Sequence, residues 1–450
     1  MRRALLSLCA GLWLSWAFAG DKPAPVTTAA AVQVGVHIRL GNDWLNRREY
    51  DKAIGEFDTA LRLDPVAAFA LADRGMAHMW KEERELARQD FDKAALIDPR
   101  NAVVPRGRGM LALREGRPSE AVADFSASLA LAPNDTFTLE RRAVAYRQSG
   151  DYEKALADSA AVTRLQPDSF GQYVFRASVL RRQARVDEAL QQADAVVAAN
   201  PDSPGAYVAA SEIYSASGKD SQAMQSLERS LTIAPTVQAY LLRARYRPKT
   251  DLAGRRADAD AALALDFNSV PVRILLASIQ VDASEYDAAV LTLNKAMAIH
   301  GETPDLLTWR GITYTKSNQP ALAAGDFAAA RTKATSAGAL NYMCWNMATS
   351  GVAFATALSA CDAGVGQLPN DADLLDSRAF VLLRLGRYDE AIAAYDAALK
   401  AAGDKEASLY GRGVAKDLQA GAAAGAADIK SALALDARVA TTFADCGVKP

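Results

Sequence analysis

Three histidines, four cysteines and 7% aromatic residues leave this 450-residue chain with little of the usual apparatus of catalysis. His37, His78 and His300 are far apart, and none has a metal-spaced neighbour of the HExxH kind. No CxxC occurs, which removes zinc-ribbon and thioredoxin-type sites. GxSxG and GxxxxGK[ST] are also missing. The acid pairs Asp258/Asp260 and Asp371/Asp373 lack the glycine and glutamate that complete a calcium loop. The expectation is no enzyme activity, no cofactor and no metal. Charge of one sign is lacking too: a net charge of −2 argues against a general nucleic-acid binder, which needs a basic surface. Beyond the first twenty residues no apolar run is long enough to cross a bilayer.

What is present is a period. Pro65, Pro99, Pro133, Pro167, Pro201 and Pro235 stand 34 residues apart, in a chain with only 17 prolines. With each proline numbered 32, position 8 holds Gly41, Gly75, Gly109, Ala143, Ala177 and Ser211. Position 20 is alanine six times, from Ala53 to Ala223. Position 24 reads Phe57, Phe91, Phe125, Ser159, Ala193 and Leu227. Small residues at 8 and 20 allow two antiparallel helices to approach closely, and position 24 fills the space beside them. The proline ends each second helix because it cannot continue one. A hydrophobic content of 50% with few aromatics suits such alanine-rich packing.

These marks identify the chain as resembling the tetratricopeptide repeat family over most of its length. The resemblance implies an all-α, right-handed superhelical solenoid of about twelve helix-turn-helix repeats. It also implies a concave groove, lined by the first helix of each repeat, that holds a peptide or protein segment.

In chain order, residues 1–20 read as a secretory signal, with Arg2 and Arg3 before an apolar run and an Ala17-Phe18-Ala19 site cleaved after Ala19. The expected location is secreted or periplasmic, with no membrane span in the mature chain. Residues 21–33 read as a linker, 34–235 as six regular repeats and 236–269 as a degenerate one. Residues 270–439 add five further repeats, and 440–450 form a C-terminal cap through Val439, Phe443 and Val448. Cys344 and Cys361 fall on facing sides of one repeat. An oxidising compartment allows a disulfide there, with two buried thiols as the alternative; Cys446 is left over.

The resemblance places partner contacts at positions 2, 5, 9 and 12 of the first helices, which share one helical face. The candidate groove residues are Asn42, Arg106, Arg147, Arg181, Asp305, Thr308, Tyr342, Asn346 and Asp376. The arginines of repeats three to five suggest an acidic segment as partner, since a guanidinium fork grips carboxylates. Capture of chaperone tails is unsupported, because Ile38 stands where that clamp needs lysine. The function expected is a non-catalytic interaction scaffold. The alternative is a structural component of an envelope assembly, or of a polysaccharide-export or secretion complex.

Overall fold

The computed structural model describes residues 28–402 and 405–448; the leader and most of the linker lie outside them. Among the described residues the regular structure is all α-helix. The fold divides into two units after Val104. The first holds two hairpins, α1 (Thr28–Asn46) with α2 (Tyr50–Leu63) and α3 (Ala68–Trp80) with α4 (Arg84–Ile97).

The second unit carries the rest, beginning with α5 (Val103–Arg114), whose first two residues precede the division, and α6 (Pro118–Leu131). Then follow α7 (Thr136–Ser149), α8 (Tyr152–Leu165), α9 (Phe170–Arg182), α10 (Val186–Ala199), α11 (Pro204–Ala216) and α12 (Asp220–Ile233). The shortened pair is α13 (Val237–Tyr246) with α14 (Leu252–Leu265). After it come α15 (Val270–Asp282), α16 (Tyr286–His300), α17 (Pro304–Lys316), α18 (Pro320–Lys333), α19 (Ala337–Thr349) and α20 (Phe354–Gln367). The chain closes with α21 (Ala372–Arg384), α22 (Tyr388–Ala402), α23 (Glu406–Ala420), α24 (Ala426–Leu435) and a single short α25 (Val439–Asp445).

The helix ends follow from local chemistry. Asp64, Asp98, Ala132, Gln166, Asn200 and Ala234, each just before a repeat proline, leave helical geometry with φ from −131° to −155°. Proline excludes the residue before it from the helical region. Asp266 makes the same exit, at φ −137° and ψ 89°, with Phe267 rather than proline after it. The turn between paired helices needs one residue in the left-handed region. Arg48, Glu82, Gly116, Gly150, Ala184 and Gly218 take that place at 34-residue steps, with φ of 57–84°. One boundary differs from expectation: α1 starts at Thr28, inside the segment read as linker. Ala29, Ala30 and Ala31 are the strongest helix formers and outweigh the nearby prolines.

Within hairpins, glycine meets phenylalanine. A Cβ on Gly75 would stand 2.9 Å from the Phe91 ring, and one on Gly311 2.6 Å from the Phe327 ring. Where the glycine is replaced, the ring is gone as well: Ala143 faces Ser159, and Ala177 faces Ala193. A second tie recurs sixteen residues apart. Arg74 grips Asp90, Arg142 grips Asp158, Arg310 grips Asp326 and Arg412 grips Asp428, each through two hydrogen bonds of 2.6–2.8 Å.

In the second unit, the first helices of successive hairpins also pack on one another, in an unbroken run from α9 through the odd-numbered helices to α23. The layer whose helices lie closer together forms the inner face. The last segment of the chain returns to that face. α25 packs on α23, with Phe443 against Phe380 of α21 (centroids 5.4 Å) and Tyr410 of α23 (4.9 Å).

Candidate functional site

The inner face of the second unit encloses a cavity of about 720 Å³. α13 supplies Arg245 and Tyr246, α15 supplies Ile274 and Ser278, α17 supplies Trp309, and α19 supplies Tyr342 and Asn346. The turn after α13 adds Arg247 and Lys249, and α14 adds Arg255. The far wall is Arg438 with Thr441 and Asp445 of α25. The opening exists because α13 is short: Pro248 stops it after ten residues, so one inner helix fails to reach the length of its neighbours.

The lining carries five cations, Arg245, Arg247, Lys249, Arg255 and Arg438, against Asp220 and Asp445. Most of these cations are already engaged. Arg247 donates to Asp258 and Asp251, both at 2.8 Å, and Arg255 to Asp282 at 2.8 Å. Lys249 donates to the Asp445 carbonyl at 3.1 Å. Arg438 donates to the Ser215 hydroxyl, stands 3.4 Å from Asp220 and lies over the Tyr246 ring. Arg245 is exposed and makes no side-chain hydrogen bond or ion pair among the described residues. It is the one lining cation left for an incoming acid group. The same lining has an aromatic wall, in which Trp309 donates its indole N–H to the Tyr342 hydroxyl at 3.1 Å. Burial pushes that hydroxyl up to about 12, with the charge of Asp305 adding to the shift.

Two of the sequence candidates, Tyr342 and Asn346, line this cavity, and Asp305 stands near Tyr342. Asn346 donates to the Tyr342 carbonyl at 2.8 Å, and burial raises the Asp305 carboxyl. The others lie apart. Asn42, in the first unit, donates to Asp73 at 3.0 Å. Arg106 pairs with Asp135 at 3.1 Å, at the start of the next repeat. The Arg147 guanidinium lies over the Phe175 ring and is lowered by burial. Arg181 donates to two carbonyls, Ala216 at 2.5 Å and Leu435 at 3.1 Å. Thr308 is buried and turns its hydroxyl onto the Pro304 carbonyl. Asp376 is buried between Ser408 and Lys405, and burial raises its carboxyl against the pull of both.

Sequence reasoning missed Arg245, because the degenerate repeat offers no reliable register there. It also missed that Arg142 ties its own hairpin together instead of facing a partner. The sixteen-residue arginine–aspartate spacing was the available signal. The sulfurs of Cys344 on α19 and Cys361 on α20 lie within bonding distance, with Cα atoms 5.5 Å apart, and Cys446 is unpaired. Among the described residues no cluster of histidine, cysteine and acids has metal-binding geometry, and no helix is long and apolar enough to cross a membrane.

The tetratricopeptide repeat family matches residues 38–102, 106–170 and 174–237. A second profile of the same repeat matches 372–405, and together these cover about half of the chain. Among solved structures the chain is similar to a tetratricopeptide repeat protein from Parabacteroides merdae, at 19% identity over 55% of this chain and 99% of that one, with a TM-score of 0.39. It is similar to yeast Tom70 at 16% identity over 92% of both chains, with a TM-score of 0.40. YrrB, described as a tetratricopeptide repeat protein with an unusual peptide-binding site, is 24% identical over 37% of this chain and 86% of that one, with a TM-score of 0.31. No curated protein matches the chain.

Proposed function

The chain belongs to the tetratricopeptide repeat family, and on that footing we propose that it is an exported, non-catalytic scaffold holding an acidic protein segment on its inner face. One observation carries the reading: the cavity at α13–α19 has in one lining Arg245, which makes no side-chain hydrogen bond or ion pair among the described residues, and the Trp309–Tyr342 pair. A guanidinium with no internal partner suits a carboxylate. An aromatic wall suits the apolar side of a bound segment, since such rings bury large area at low entropic cost. The arginines first expected in this role, Arg106, Arg147 and Arg181, are engaged inside the chain.

Export rests on the basic, apolar and Ala17-Phe18-Ala19 pattern of the first twenty residues. A bond between Cys344 and Cys361 belongs to the same reading, because such bonds persist in oxidising compartments.

The test is a set of labelled 15-residue peptides graded from acidic to basic, titrated against the chain lacking residues 1–19. Acidic peptides should bind best, and Arg245→Glu should weaken them at least tenfold while the helical circular dichroism stays unchanged. Binding indifferent to peptide charge, or to Arg245→Glu, sinks the acidic-segment reading. It would then favour the structural alternative, in which contacts run through the outer face.

A further inference from the structure

The C-terminal segment sits on the inner face in the manner of a bound peptide. Two of its backbone carbonyls are taken by cationic side chains from distant repeats, Asp445 by Lys249 and Cys446 by Arg384. Just before it, the carbonyl of Leu435 at the end of α24 is held by Arg181. The Arg181 and Lys249 contacts join residues 254 and 196 positions apart. Its one large apolar side chain, Phe443, is 3% exposed and inserts between Phe380 and Tyr410, both on inner helices. At the other end Arg438 reaches Ser215 and the Tyr246 ring, across the cavity from α25.

This is also how an amphipathic helix lies in a groove. Two carbonyls are gripped by long side chains, Phe443 is buried at the centre with Val439 and Val448 on either side of it, and a seven-residue helix too short to be stable alone is held from outside. Of the far contacts, that of Lys249 is made by an exposed side chain and is weakly held, whereas Arg181 is largely buried.

We propose that residues 436–448 are an internal ligand of the inner face. They hold the place of an external partner of the same chemistry: a short amphipathic helix with an aromatic anchor for the Phe380–Tyr410 notch and main-chain carbonyls for Lys249 and Arg384. Binding such a partner requires α25 to leave, and its departure opens the cavity along the wall now formed by Arg438, Thr441 and Asp445. The inference rests on the inner face being the partner surface.

The test uses the full chain and a fluorescent peptide of residues 436–450 carrying C446S. Phe443→Asp removes the anchor in the chain. The folded variant should bind the peptide saturably, and the unaltered chain at least tenfold more weakly. Equal binding by both proteins, or none by a folded variant, overturns the proposal. Hydrogen exchange on the unaltered chain gives an independent reading if that variant fails to fold. Amides of 439–448 should exchange at least tenfold faster than those of α21 and α23. Exchange of all three at one common rate makes α25 a permanent cap and also overturns the proposal. Peptide capture by Phe443→Asp, together with indifference of both proteins to acidic peptides, would leave the internal ligand standing and sink the acidic-segment reading alone.

Discussion

Gly41, Gly75, Gly109 and Gly311 are each the imprint of a phenylalanine sixteen residues later. At Gly311 the constraint is steric, because an added Cβ would meet the Phe327 ring at 2.6 Å and the ring is only 5% exposed. Gly311→Ala should therefore cost about 1–3 kcal/mol, the usual penalty for overpacking a filled core. In a Phe327→Leu background the same change should cost less than half as much, because the colliding atoms are gone. Equal costs in the two backgrounds, measured by urea unfolding, would mean that the ring is not what the glycine accommodates. This partnership was legible in the sequence, since both residues recur in register. The Arg310–Asp326 type of tie was not, although its spacing recurs equally well. Arginine on a helix surface reads as solvated or partner-facing until the neighbouring helix is seen to place a carboxylate under it.

At the scale of helices, the sequence spoke most clearly where proline or glycine acts. In the six regular repeats the second helix ends at a pre-proline residue, and Gly150 closes α7 in the left-handed region at φ 84°. In the degenerate repeat α13 stops just before Pro248, as that residue requires. What remained hidden was the consequence, a cavity where the short helix leaves room. The α19–α20 pair carries the prediction that belongs at this scale. If Cys344 and Cys361 are bonded, the chain without its leader exposes one reactive thiol when denatured, Cys446; unbonded, it exposes three. Joining cysteines 17 residues apart restricts the unfolded chain enough to stabilise by about 3 kcal/mol in the loop-entropy account. A reductant should lower the unfolding free energy by about that amount. A count of three thiols, or no effect of reductant, would show that the pair is not bonded in the isolated protein.

For the second unit as a whole, the decisive contacts are those no periodic pattern foretells. An open repeat array owes its stability to nearest neighbours and tends to lose it piecemeal. Here the C-terminal segment joins α9, α11 and the turn after α13 to α21 and α23, so distant repeats share a boundary. Val439, Phe443 and Val448 were legible as apolar residues at the end of the array, but which helices they pack on was not, because that depends on how the unit curves back. The shared boundary should make the two ends of the unit unfold together. Arg438→Ala removes the link to Ser215, Asp220 and the Tyr246 ring without touching the aromatic anchor. In the unaltered protein, urea transitions followed by fluorescence and by helical circular dichroism should coincide. In Arg438→Ala they should separate, with a smaller m-value for the early step, since less surface is exposed when only part of the array opens. Transitions that stay coincident in the variant would mean that neighbour packing alone makes the unit cooperative, and that the returning segment rides on the fold without coupling its parts.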